Sequence, residues 1–579
     1  MTRVMSEIEA VLLAESSVCD ALHWASPDPP MPRAPDRNAS GGALTVLRGE
    51  DVAHLVHAAR EEAEKGRRVA VVAPAHAVAG ARRELRTLVS SRLPVVVHAV
   101  GGAGRASSGR DLVALLDLGL GALFPSGAED ALDMTLVARR AAEDCSVPFL
   151  VVHEIAPFRS VETVRVPDAR AFVDYVGPAI DRLSTTDDPS HALFARVPDR
   201  VFAERVPFAL GSALRDLEAY TGRRHDVLER VPDAGARPQG RGHGHAHDED
   251  AEGMLVGLGV AGDGLCAVAE YLREQGVDVG AVRLSGPRPY PGARLAKTLA
   301  RALAVTVFEP EDEVLAQSGP LTRELKAAFA DAITWAPGYP GIGRIPRITS
   351  AACERPALEL GHGVLAADNM LAGEHARRSL LFTADPDRER SRRVAGTRAT
   401  VRAVVSHAGV AEACADPIAR AVALATGLRV AAVVRRSSAL EGHGYVLDVT
   451  AAPDRPRAAL QPLVLDGIVL QTGAMLKRDV LIRLADGAPV HVTGATSAEI
   501  TPPADTLDLV RERRLALHGA PSAPELLGAT IAAIAAHLSA RLAVTPVTPV
   551  TIARAIGEVL GADASSQAEK ALAATARAV

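Results

Sequence analysis

The sequence predicts an α/β protein of three doubly wound parallel-sheet domains, and three observations lead there. Short Val-rich runs alternate with helix-period segments over residues 43–165, as expected for strands buried on both faces between crossover helices. The alternation restarts at Met254 and again near residue 397, after two polar tracts: PDAGARPQGRGHGHAHDEDAEG, and DPDRERSRR at 385–393. Hydrophobic residues reach 48% while aromatics are only 3%, so the cores must be Ala, Val and Leu, which suits helices packed on sheets. The expected units are 1–176, 251–350 and 397–579, with a linker over 177–250 and a connector over 351–396.

Residues 50–65 (EDVAHLVHAAREEAEK) read as a helix leading into the strand RRVAVVAP, and a helix over about 76–91 leads into LPVVVHAV. DLVALLDLG, the short strand GALFP, the helix AEDALDMTLVARRAAED and the strand VPFLVVHE follow. Ser126 ahead of Glu129 and Asp130 predicts a capping box and an acidic first turn. The second unit reads as strand MLVGLGV, helix 264–275, strand VDVGAVRLSG, helix 292–303, strand VTVFEP and helix 320–332. The third reads as strand TVRAVVS, a helix from about 410 to 426, then strands RVAAVVRR, GYVLDVT and PLVLDGIVL.

A net charge of -6 argues against a nucleic-acid partner, which selects a basic excess. Five scattered cysteines without a CxxC give no local iron–sulfur, zinc-ribbon or disulfide pattern. Glu7, Glu9 and Glu15 interrupt the N-terminal segment, so it lacks the apolar region of a signal peptide, and no apolar run approaches the ~20 residues that span a bilayer. A cytoplasmic protein with no membrane partner is expected.

Local motifs leave the chemistry open. GLGVAG at Gly257–Gly262 matches GxGxxG between a strand and a helix, but the acidic residue due about 20 positions on is not clearly placed. A tight strand–helix turn accounts for it. His243, His245 and His247 beside Asp248, Glu249 and Asp250 offer metal-binding groups in a tract with no rigid geometry, which reads as solvated linker; no metal site is assigned. His153-Glu154 closes a strand, where open sheets often carry functional groups.

The stretch SGAEDALDMTLVARRAAEDCSVPFLVVHEIAPFRSVETVRVP at 126–167 resembles the end of the first domain of pyruvate:ferredoxin and related 2-oxoacid:acceptor oxidoreductases. The matching features are a serine turn, a DxALVA helix, a VPF strand and an FRTSHE-type element, here Ser126, Asp133, Val137, Ala138, Val147, Pro148, Phe149, Phe158, Arg159, Ser160 and Glu162. AVRLSGPRPYPGARLAKTLARALAVTVFEPED is similar to the family's RPFP element and its next strand, and Gly343-Arg344 falls at its GGRYG. ELLGATIAAI and PVTIARAIGEVL resemble the gamma-type domain.

The resemblance implies a pyrimidine-binding alpha-type domain, a second alpha-type domain and a gamma-type domain. It implies thiamine diphosphate with Mg2+ at an interface with a separate beta-type subunit, coenzyme A, and electrons passing to ferredoxin or another acceptor. Iron–sulfur clusters would sit on a partner only, in a hetero-oligomer. Glu50 falls at the family's catalytic, cofactor-binding glutamate, where a carboxylate promotes ylid formation; an N-terminal helix acid stabilised by the dipole is the alternative for Glu50. Ser26 falls at its substrate-binding threonine. Where the family holds the substrate carboxylate with an arginine, GGAGRASSGRD offers Arg105 or Arg110. The family's Ser-Gln pair is replaced by Ala75-His76. Two functions follow: an alpha–gamma subunit of a 2-oxoacid:ferredoxin oxidoreductase that makes acyl-CoA by oxidative decarboxylation, or a degenerate paralogue acting as a scaffold in a larger oxidoreductase complex.

Overall fold

In the computed structural model the described residues are 2–26, 31–101, 115–154, 160–179, 199–231, 252–309, 318–353, 360–382, 399–436, 444–453, 464–493, 499–520 and 548–561, with isolated positions between them. Their strands form three sheets in an α/β arrangement.

The first sheet has the spatial order Thr45–Gly49, Ala21–Ala25, Val69–Pro74, Val96–Val100, Phe149–His153, Gly121–Leu123, parallel throughout. Strands such as VAVVAP and FLVVH are buried at every position because helices cover both faces. On one face Glu7–Val18 packs against Ala128–Cys145. Ser6 starts the first of these with a capping box: its amide donates to Glu9 Oε2 at 2.7 Å, and Glu9 N donates to Ser6 Oγ at 3.3 Å. The expected helix at 50–65 is Val52–Glu64, and the one at 76–91 is two pieces, Ala75–Gly80 and Arg82–Ser90.

The second sheet runs Ser379–Phe382, Arg347–Cys353, Ala304–Glu309, Gly253–Leu258, Val279–Leu284, Leu228–Val231, parallel except for the last strand. It therefore draws strands from both regions read as connecting segments. The expected linker 177–250 contains the helix Asp199–Thr221 and the edge strand Leu228–Val231, and the expected connector 351–396 contains the end of Arg347–Cys353, the helix Leu360–Leu371 and the edge strand Ser379–Phe382. Each of the two edge strands is only four residues long, the shortest run over which a strand period can be read. The His-rich tract lies outside the described residues.

The third sheet has eight strands: Thr2–Met5, Ser160–Arg165, Arg429–Arg436, Tyr445–Ala452, Ala399–Val405, Gly467–Leu470, Pro489–Thr493, Ala516–Ala520. The first five are antiparallel neighbours and the remainder pair parallel, so this sheet is mixed where a parallel one was expected. Its first two strands come from the N-terminal part of the chain, with Met5 opposite Glu162 and Glu162 opposite Ala431. All three sheets thus meet around residues 5–7, 124–130, 153–154 and 160–162.

Candidate functional site

In an open parallel sheet, ligands bind at the carboxyl ends of the strands. In the first sheet that rim carries Ser26, Glu50, Ala75-His76, Gly101 and His153-Glu154. Ser26 and Glu50 adjoin because Ala25 pairs with Gly49 and Ser26 N donates to Gly49 O at 2.9 Å. Glu50 stands two residues before Val52–Glu64, the helix it was expected to open. Asp51 is the cap, its carboxylate accepting from Ala53 N at 3.0 Å and His54 N at 3.4 Å. The dipole-stabilising task therefore belongs to Asp51, and Glu50 is left exposed on the rim. Arg105, Arg110 and Arg159 lie outside the described residues.

Behind the rim, on the face covered by Glu7–Val18, lies a polar file that the sequence did not single out beyond His153. His98 Nδ1 is 3.0 Å from His153 Nε2, and His98 Nε2 is 3.0 Å from Glu15 Oε1. Glu15 Oε2 accepts from Arg139 Nη2 at 2.9 Å and from the Cys19 thiol at 2.9 Å, while Arg139 also donates to Val69 O at 3.0 Å. Burial opposes ionising Glu15, but Arg139 and His98 overcome it and hold the carboxyl down at about 2. Burial also pushes the Cys19 thiol well up, so it is no ready nucleophile. At the other end Glu7 Oε2 faces His153 Nδ1 at 3.9 Å. The available signal was a histidine inside each of two otherwise apolar strands, VVHAV and FLVVH.

Carboxylates also fasten the units together. The capping box expected at Ser126 does not form: the N-cap is Gly127, at φ 84°. Gly127 N donates instead to Glu7 Oε1 at 2.6 Å, Glu129 N to Glu162 Oε1 at 2.8 Å, and Ser126 N to Asp130 Oδ2 at 2.9 Å. Acids from two other elements thus satisfy the start of this helix. Asp130 also pairs with Arg283 of the second sheet and with His225. Burial opposes a charge on His225, yet hydrogen bonds to Asp130 and Asp133 raise it to about 9.

The GxGxxG segment resolves the same way. The helix Gly259–Glu274 begins inside it, and Val260 N donates to Glu154 Oε2 at 3.0 Å. A Cβ on Gly259 would sit 2.9 Å from that oxygen. The amide that would greet a nucleotide phosphate is occupied by a carboxylate of the first unit, so the motif works as a docking turn. Among the described residues no group of three or more His, Cys, Asp or Glu side chains is placed to hold a metal ion, and no helix is long and apolar enough to cross a membrane.

Comparison with known proteins assigns the first two sheets. Residues 55–203 match the family "Pyruvate flavodoxin/ferredoxin oxidoreductase, thiamine diP-bdg", and residues 251–343 match "Pyruvate:ferredoxin oxidoreductase core domain II". The chain is 24% identical over 238 residues to pyruvate synthase subunit PorA of Methanothermobacter thermautotrophicus, covering 38% of this chain and 57% of the relative. It is 22% identical over 264 residues to the PorA subunit of Pyrococcus furiosus, covering 41% and 61%. The chain thus spans about 57–61% of the length of these curated relatives. Among solved structures, a 2-oxoglutarate:ferredoxin oxidoreductase from Magnetococcus marinus is similar at 16% identity and a TM-score of 0.41, covering 60% of this chain and 62% of that one.

The two matched segments resemble the thiamine-diphosphate-binding domain and core domain II of pyruvate:ferredoxin oxidoreductases. Over these two segments the chain is similar to the 2-oxoacid:ferredoxin oxidoreductase family. The thiamine-diphosphate match begins at residue 55, downstream of Ser26 and Glu50.

Proposed function

We propose that this chain is the alpha–gamma-type subunit of a 2-oxoacid:ferredoxin oxidoreductase, supplying the pyrimidine side of a thiamine-diphosphate site that a separate beta-type subunit completes. The observation carrying this reading is Glu50: a carboxylate exposed on the strand-end rim, beside Ser26, with helix capping already assigned to Asp51.

The rim suits the aminopyrimidine half of the cofactor, since a free carboxylate can hydrogen-bond a ring nitrogen and move a proton there. The diphosphate half would be held with Mg2+ by the partner. When bound, the cofactor supplies the electron sink for decarboxylating a 2-oxoacid. With the cofactor bound, Glu50 would be placed to exchange a proton at the aminopyrimidine, Ser26 would donate a hydrogen bond to substrate, and Arg105 or Arg110 would hold the substrate carboxylate in a bidentate fork. On this reading coenzyme A would be the acyl acceptor, and iron–sulfur clusters on the partner would supply the electron path to ferredoxin or another acceptor. The assembly works in the cytoplasm.

The test is 2-oxoacid-dependent dye reduction by the complex carrying Glu50→Ala. Removing a proton-transfer group is expected to lower turnover about 10²-fold or more. Turnover surviving within about threefold, well short of that loss, removes Glu50 from the chemistry. A complex with neither turnover nor retained thiamine diphosphate supports the scaffold alternative instead.

A further inference from the structure

We propose that Glu7 is carried as a neutral acid whose proton completes a buried file, Glu7–His153–His98–Glu15, and that this proton locks the joint where the three sheets meet. The inference is independent of the cofactor reading.

The direction of the file follows from its fixed end. Glu15 is paired with Arg139 and receives the Cys19 thiol, so as a carboxylate it can only accept. His98 Nε2, 3.0 Å from Glu15 Oε1, must therefore carry hydrogen. In a neutral ring that leaves His98 Nδ1 a lone pair, and His153 Nε2 donates to it across 3.0 Å. His153 Nδ1 is then an acceptor too. Facing it at 3.9 Å is Glu7 Oε2; both atoms are buried and neither has a hydrogen-bond partner. Two bare acceptors repel, whereas a proton on Glu7 Oε2 makes one of the facing atoms a donor and the other its acceptor. Glu7 Oε1 is already engaged by Gly127 N, which leaves Oε2 for the proton.

The opposite polarity needs an imidazolium at His98 and a carboxylate at Glu7. That adds two buried charges although Arg139 already neutralises Glu15. The surroundings of Glu7 oppose its ionisation. Asp130 on the helix Ala128–Cys145, Glu162 on the strand Ser160–Arg165 and Glu154 after Phe149–His153 all face it, and on its own helix Glu9 is turned to Ser6. The cations nearby are committed elsewhere: Arg283 and His225 to Asp130, Arg429 to Glu129. Burial first, then these three acids, push the Glu7 carboxyl up to about 8 against the pull of the Gly127 amide. Losing the proton sets a carboxylate beside these acids where the first helix, the start of Ala128–Cys145 and the third sheet converge.

The sign of the pH effect is fixed. A carboxyl raised in the folded state stabilises fully below its unfolded value near 4.5, and that stability is lost as pH rises through about 8. His225, raised to about 9, loses its own contribution over an overlapping range, so the readout must be a difference between proteins. In Glu7→Gln the amide oxygen can still accept from Gly127 N and the amide N–H can donate to His153 Nδ1, with no proton to lose. Unfolding of the full chain by denaturant is compared for wild type and E7Q from about pH 5 to pH 9. The expected result is an unfolding constant of wild type that grows relative to E7Q by about tenfold or more over this range. A constant ratio overturns the proposal. Infrared spectra of protein labelled with 13C-glutamate supply the second measurement. A protonated-carboxyl stretch near neutral pH is expected in wild type and diminished in E7Q; should E7Q fail to fold, its fading in wild type by about pH 9 supports the assignment. Absence of that band near neutral pH, or an imidazolium signature at His98 by 15N resonance, overturns it.

Discussion

Buried charge in the first unit is affordable only in pairs. Arg139 sits 1% exposed inside an apolar helix layer, and Glu15, at the same exposure, is its counter-charge. Arg139→Met leaves Glu15 uncompensated and is expected to cost about 3–5 kcal/mol in denaturant unfolding. Because Glu15 is held near 2, its share of stability is present above about 4.5 and lost as pH falls through 2; in Arg139→Met that acid limb should move upward. Glu50→Ala should by contrast shift stability by no more than about 0.5 kcal/mol, since the residue is exposed and caps nothing. That contrast separates a site residue from a structural one. The sequence pointed to Ser26 and Glu50 only through resemblance, because an exposed acid before a helix looks like any first-turn acid. His98 stayed hidden because one histidine in a run of valines has no local pattern. Its partners, Glu15 and His153, lie 83 positions upstream and 55 positions downstream.

Elements buried on both faces were legible, since VAVVAP or FLVVH admits little except a central parallel strand. The third sheet was less so. Thr2–Met5 and Ser160–Arg165 are short strands with partly exposed positions, and only long-range pairing reveals that they border Arg429–Arg436. The helix Asp199–Thr221 contains Pro207, which weakens its sequence signal. The start of Ala128–Cys145 gives the element-scale prediction. Gly127 has φ 84°, and a Cβ there would lie 2.7 Å from Glu162 Oε2. Gly127→Ala should therefore cost about 1–3 kcal/mol in unfolding free energy, and Glu162→Ala should relieve part of that loss when combined with it.

At the scale of the molecule, three sheets share one joint, and the strand-end rim of the first sheet leaves Glu50 open. If the proposed half-site reading holds, the chain is expected to form an obligate hetero-oligomer, a dimer of alpha–gamma/beta units, through the 20–50 and 100–112 segments. The buried interface should exceed about 2,000 Å². Light scattering on the chain expressed alone checks this: a well-behaved, cofactor-binding monomer of the 60.4 kDa chain contradicts it. The measurement that bears most directly on the account is thiamine diphosphate retained per chain, alone and after co-expression with a beta-type subunit. The account predicts negligible retention alone and stoichiometric retention in the complex, reduced by Glu50→Ala. Equal retention with and without the partner, or none in either state, would contradict it.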